Sequence, residues 1–161
     1  MAGRTPSQTI GPFFHGGLAW AEQASRKAAD DTNVEVVGRV LDADGTGVSD
    51  AVLEIWEPEL STRTAPLAGW QRVATDPDGG FHFHRSADSR RAAHVVVFAR
   101  GLLNGLFTRC YLPAVADETI PVEVPRTRVA TLIAVPGDTA DVVRWDIKLS
   151  GDGETVFLRW R

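Results

Sequence analysis

With 161 residues, 43% of them hydrophobic and 24% charged, the chain has the size and composition of one globular domain with a sizeable core, and is too short for two ordinary ones. Its 17 Lys and Arg against 21 Asp and Glu give a net charge of −4, which argues against nucleic acid as a general partner and is mild enough to serve solubility. A single cysteine, Cys110, excludes an intrachain disulfide and a cysteine-based zinc cluster, and the longest apolar run, VVVFA at 95–99, is far too short to span a bilayer. The opening MAGRTPSQTIGPFF has no apolar core of signal-peptide length, so a cytoplasmic location is expected.

Residues 5–17 are rich in Pro, Gly, Ser and Thr and carry Phe13, Phe14 and His15, a composition that predicts an extended arm. Such an arm needs a surface to dock on. Residues 18–29 hold good helix formers but only a weak apolar stripe, which predicts a short, peripheral helix or turn. The stretch 1–32 is thereby set apart from a β domain over 33–161.

From Asn33 the pattern is β. Residues 34–41 alternate through Val36 and Val40, DADGTG supplies a turn, and AVLEIW at 51–56 resumes the alternation, so two antiparallel strands are the simplest expectation. Residues 57–70 are polar and interrupted by Pro58, Pro66 and Gly69, and read as a long excursion. DPDGG at 76–80 is a turn before FHFHR, whose Phe81 and Phe83 share one face. An apolar strand over 93–99 breaks at Gly101, another follows over 106–112, and 120–134 mixes two prolines with β-branched residues. The runs 142–149 and 154–160, separated by SGDG, are expected to pair as a C-terminal hairpin. About eight short strands with turn signals predict an all-β, antiparallel sandwich.

His82 and His84 lie two apart on a strand, the spacing that places two imidazoles on one face, where they could chelate a metal. Burial of Phe81 and Phe83 explains the same spacing with both histidines in solvent, and that reading is preferred. His15 has no nearby carboxylate or second ligand and reads as a surface residue. His94 heads an apolar strand whose next residue on the same face is Val96, so half of a metal site is present and half is missing; a satisfied structural histidine is the simpler reading. Arg100 ends that strand just before Gly101, where backbone freedom can aim a side chain into a cleft, although an ordinary surface arginine would look the same. No nucleophile elbow, P-loop, dinucleotide fingerprint or zinc-protease motif occurs.

Four segments together resemble the intradiol ring-cleavage dioxygenases, and within that family the alpha subunits of its two-chain enzymes. They are TPSQTIGPFF in the arm, VVGRVLDADGTGVSDAVLEIWEP at 36–58, which is similar to the family's signature hairpin, HVVVFARGLLNGLFTRCYLP at 94–113, and the ending GDGETVFLRW. The resemblance implies a β-sandwich of the intradiol type with an extended arm. It also implies an enzyme in which Fe(III), held in catalytic chains by two tyrosines and two histidines, cleaves a catechol ring between its hydroxyl-bearing carbons with both atoms of dioxygen.

By the same resemblance the first tyrosine falls near Thr64, the second in a segment shortened here to 86–91, and the histidine pair on His94 and Val96. Those positions are then vestigial, no metal is expected in this chain, and no catalytic residue is expected in it alone. Residues 1–32 are implied to dock on a homologous beta subunit that carries the iron. Thr9, Gly11, Pro12, Phe13 and Arg100 are implied to line that subunit's cavity, the arginine receiving the carboxylate of 3,4-dihydroxybenzoate. The family commonly has tyrosine where Phe13 stands, and the loops near 57–70 and 84–92 are shorter than usual. Two other readings stand beside this one: a self-contained metalloenzyme using His82, His84 and His94, and a non-enzymatic β-sandwich binding module.

Overall fold

The computed structural model describes residues 5–18, 20, 33–61, 67–89, 91–113 and 120–159. Among them run nine strands: β1 (Asn33–Leu41), β2 (Val52–Trp56), β3 (Trp70–Ala74), β4 (Gly80–Ser86), β5 (Ala93–Phe98), β6 (Leu106–Cys110), β7 (Val135–Pro136), β8 (Val142–Arg144) and β9 (Ile147–Lys148). One sheet has the order β4-β1-β8-β7, with β9 also on β1, and the other the order β3-β2-β5-β6. The second sheet is antiparallel throughout. The first is mixed, because β1 is antiparallel to β4 but parallel to β8 and β9.

Alternation builds the core. Val36, Phe81, Phe83 and Val143 of the first sheet meet Leu53, Ile55, Val95 and Val97 of the second in one buried cluster. Each such side chain contributes about 1.5–3 kcal/mol by leaving water. A smaller cluster of Tyr111, Val124, Leu132 and Val156 forms where a 3-10 helix, Arg126–Leu132, packs past the end of β6.

Both expected hairpins are replaced by crossings between sheets. After the DADGTG turn the Val48 amide still bonds to the Val40 carbonyl, but β2 then joins the opposite sheet. The Thr75 hydroxyl pins this crossing, donating to the Val48 carbonyl at 2.7 Å and accepting from the Ala51 amide at 3.0 Å. At the other end, the run 142–149 is split by Trp145 and Asp146 into β8 and β9, which both lie along β1. Thr155 bonds back to Lys148, yet Leu158 then bridges to Phe107 of β6 in the other sheet, and Trp160 lies outside the described residues. Alternation states which face of a strand is buried but not which sheet the strand joins, so it cannot separate a hairpin from a crossing.

The strand β3 emerges at the end of what reads as an excursion and pairs with β2 from Trp56 opposite Trp70 onward. Of the arm, Pro12–Phe14 form one 3-10 turn and 5–11 have no regular structure. The helix expected over 18–29 lies, apart from Leu18 and Trp20, outside the described residues. No helix among the described residues is long and apolar enough to cross a membrane.

Candidate functional site

Burial of Val95 and Val97 leaves His94, Val96 and Phe98 on the outer face of the second sheet. The arm lies against this face. Phe14 packs on Phe98 with ring centroids 5.0 Å apart, and the Arg72 guanidinium sits 4.5 Å from the Phe14 ring centre while donating to the Phe14 carbonyl at 2.6 Å and pairing with Glu54. The Thr9 hydroxyl joins the arm to the turn after β5, accepting from the Gly101 amide at 2.7 Å and donating to the Ala99 carbonyl at 3.4 Å. Gly101 makes that turn with a φ of +90°, a conformation open to glycine at little cost.

Arg100 stands between the two Thr9 contacts. Its side chain is 67% exposed and its Nε is bonded to Asp50. Gly11, Pro12 and Phe13 follow along the arm, all exposed, Phe13 at 91%. The structure thus ties Thr9 to the backbone on either side of Arg100 and leaves the other three arm residues facing solvent. Sequence reasoning did not anticipate that Thr9 and Phe14 anchor the arm on the chain's own sheet.

His94 opens onto a cavity of about 330 Å³ lined by Pro58, Glu59, Arg91, Ala92, Arg109 and Tyr111. Burial, and then the charge of Arg109, hold the imidazole below its ordinary range, with Glu59 opposing, so the ring is neutral near pH 7. Phe107 stands edge-on to it at 5.6 Å. Val96 is packed closely: a Cβ placed on Gly105 would meet its Cγ1 at 2.8 Å.

This set does not fit a ferric ion. Where the resemblance implies two tyrosines and two histidines, the lining offers one of each, His94 and Tyr111; its two arginines repel a trivalent cation, and the Glu59 carboxylate accepts from the Ser89 hydroxyl at 2.7 Å. Thr64 lies outside the described residues. His82 and His84 are on the outer face of the first sheet, across the sandwich from His94, so the three histidines do not assemble one site.

The rim of the cavity is held by a network that the sequence reading missed. Arg85 and Glu57, 0% and 1% exposed, are ion-paired, and the same guanidinium donates to the carbonyls of Cys110 at 2.9 Å and Arg91 at 2.7 Å and to the Ser89 hydroxyl at 3.1 Å. Burial pushes the Glu57 carboxyl up while the Arg85 charge opposes it. The signal was available in FHFHR: Arg85 occupies the same inward phase as Phe81 and Phe83, so a cation enters the core and requires an acid beside it. Burial also pushes the Cys110 thiol up to about 12, which makes it unreactive.

No family model matches the chain. Two curated relatives match nearly its whole length. It is 34% identical to the protocatechuate 3,4-dioxygenase alpha chain of Burkholderia cepacia over 96% of each chain. It is 33% identical to that of Pseudomonas putida over 96% of this chain and 95% of the other. The chain belongs to the protocatechuate 3,4-dioxygenase alpha-chain family.

Solved structures place the alpha chain in the intradiol dioxygenase fold. The dioxygenase domain of a dioxygenase carbohydrate-binding protein fusion from Streptomyces sp. SirexAA-E superposes with a TM-score of 0.59 at 18% identity, over 76% of this chain and 84% of that one. Hydroxyquinol 1,2-dioxygenase from Pseudomonas putida DLL-E4 gives 0.54 at 18% identity, over 74% and 57%. Intradiol dioxygenases use ferric iron. In this alpha chain the strand that by resemblance would carry a histidine pair holds one neutral histidine and one packed valine, next to two arginines.

Proposed function

We propose that this chain is the non-iron alpha subunit of a protocatechuate 3,4-dioxygenase, an oxidoreductase that converts 3,4-dihydroxybenzoate and dioxygen to 3-carboxy-cis,cis-muconate in the ortho-cleavage catabolism of aromatic acids. Whole-length similarity to two alpha chains carries this reading. The iron belongs to a homologous beta subunit, and this chain completes the substrate cavity and supports assembly.

The built turn around Arg100 supports that role. Thr9 fixes the backbone on both sides of the arginine and Asp50 holds its Nε, so the rest of the guanidinium points outward in a defined pose. Once a partner excludes water from it, such a fork binds and orients a substrate carboxylate. Exposed Phe13 and Trp20 supply aromatic area for the subunit contact. Within the assembled enzyme this chain's groups bind and orient substrate, and the bond-breaking chemistry is the partner's.

In the assembled enzyme, Arg100→Ala is expected to lower kcat/KM for protocatechuate about 10–100-fold, the worth of one charge-assisted hydrogen bond of about 1.5–3 kcal/mol, while catechol turnover changes by less than about twofold. An equal loss on both substrates would overturn the carboxylate role.

A further inference from the structure

We infer that Glu35, His82 and His84, on the outer face of the first sheet, form a binding site for a borderline divalent metal ion such as zinc, nickel or copper(II). The register of β1 on β4 sets Glu35 opposite His84 and Val37 opposite His82, while Val36 and Phe83, also paired, point into the core. Period two then brings the carboxylate and both imidazoles to one surface. One donor atom from each of the three lies within 4.8 Å of the other two. His82 Nδ1 is already 3.0 Å from Glu35 Oε1, and the two imidazoles lie 6.4 Å apart at 78°.

A tetrahedral zinc with bonds of about 2.0–2.1 Å holds its donors about 3.3 Å apart. The gap is closed by small side-chain rotations on strands that need not move. The backbone beneath is fixed: the Gln71 side-chain amide accepts from the His84 N–H at 2.9 Å and donates to the His84 carbonyl at 2.5 Å, clipping the free edge of β4. Two imidazoles with one carboxylate suit zinc, nickel and copper(II), whereas magnesium and calcium take oxygen ligands. The His82 and Glu35 side chains are 63% and 36% exposed, so the remaining coordination positions face solvent. Arg144, which β8 sets beside Val37 on this face, has its charge offset by Asp146 at 3.8 Å. The site is independent of the reading of Arg100, and the ion would clasp β1 to β4.

Titration of the full chain with zinc chloride against a chromophoric competitor near neutral pH is expected to saturate at one zinc per chain, with a rise in Tm over the same range, as binding to the folded state alone requires. His82→Ala and His84→Ala should each weaken zinc binding by about tenfold or more and Glu35→Gln by less, whereas His94→Ala should leave it unchanged. His82 is exposed and Glu35, His84 and His94 are half-buried, and the metal-free Tm of each variant reports that it has folded. Absence of saturable binding by the wild-type chain, or binding undiminished in the folded double variant lacking both His82 and His84, would overturn the inference.

Discussion

Arg100 is held from two sides, by Asp50 at its Nε and by Thr9 across the backbone of its turn. In the proposed role of Arg100 these two act as positioning residues, so their loss should affect the binding of a carboxylate and not the chemistry. Asp50→Asn in the assembled enzyme is expected to raise KM for protocatechuate several-fold with kcat unchanged, and Arg100→Lys should recover only part of the loss seen with alanine, since a point charge replaces a planar fork. A fall in kcat at constant KM would contradict this. His94 offers a test without substrate. Its folded imidazole is harder to protonate than the ordinary value of 6.5, so as pH falls through that value the unfolded chain takes up more protons and stability is lost. The drop in Tm on acidification below about pH 6.5 should therefore be steeper for the wild type than for His94→Leu, and parallel curves would contradict the assignment. The positions of His94 and Arg100 at the two ends of one short apolar stretch were legible in the sequence, Arg100 from the glycine that follows it. Asp50 was not, because its contact with Arg100 joins the loop before β2 to the turn after β5, a pairing that no local pattern encodes.

At the scale of elements, β1, β2, β4, β5 and β6 were legible from alternation, whereas β3, hidden at the end of a polar stretch, and the two-residue β7 were not, and neither were the sheet partners of β1, β2 and the C-terminal run. β1 and β2 read as a hairpin yet belong to different sheets, and the C-terminal run divides where Trp145 must pass the bare backbone of β1. Gly38 permits that passage: a Cβ there would lie 1.9 Å from the Trp145 carbonyl oxygen and 2.9 Å from the Phe81 ring. Gly38→Ala should cost at least about 1–3 kcal/mol in denaturant unfolding, and a neutral effect would show that β8 can move away. The Arg85–Glu57 pair ties β4 to the segment after β2 and to the rim of the His94 cavity. Removing one partner leaves a buried charge alone, so Arg85→Met should cost about 3–5 kcal/mol, while the double variant with Glu57→Leu should cost clearly less than the sum of the single losses. Strict additivity would mean that the two charges do not depend on each other.

For the whole molecule, the sandwich presents two outer faces of different character. One carries the arm, the Arg100 turn and a cavity whose arginines repel a ferric ion; the other carries the histidine pair of β4 with Glu35. The fold class and the family resemblance follow from motifs spread along the chain, whereas the placement of the arm on this chain's own sheet needed the tertiary structure. The proposed function divides the labour, with the iron on a homologous beta chain and this chain completing the cavity. The most direct measurement is to purify the chain alone and after co-expression with its beta chain, and to count iron and assay protocatechuate cleavage in both preparations. The expected result is a stable, active complex with one iron per pair, and an iron-free, inactive chain when it is alone. One tightly held iron per chain with ring-cleavage activity in the isolated protein would contradict it.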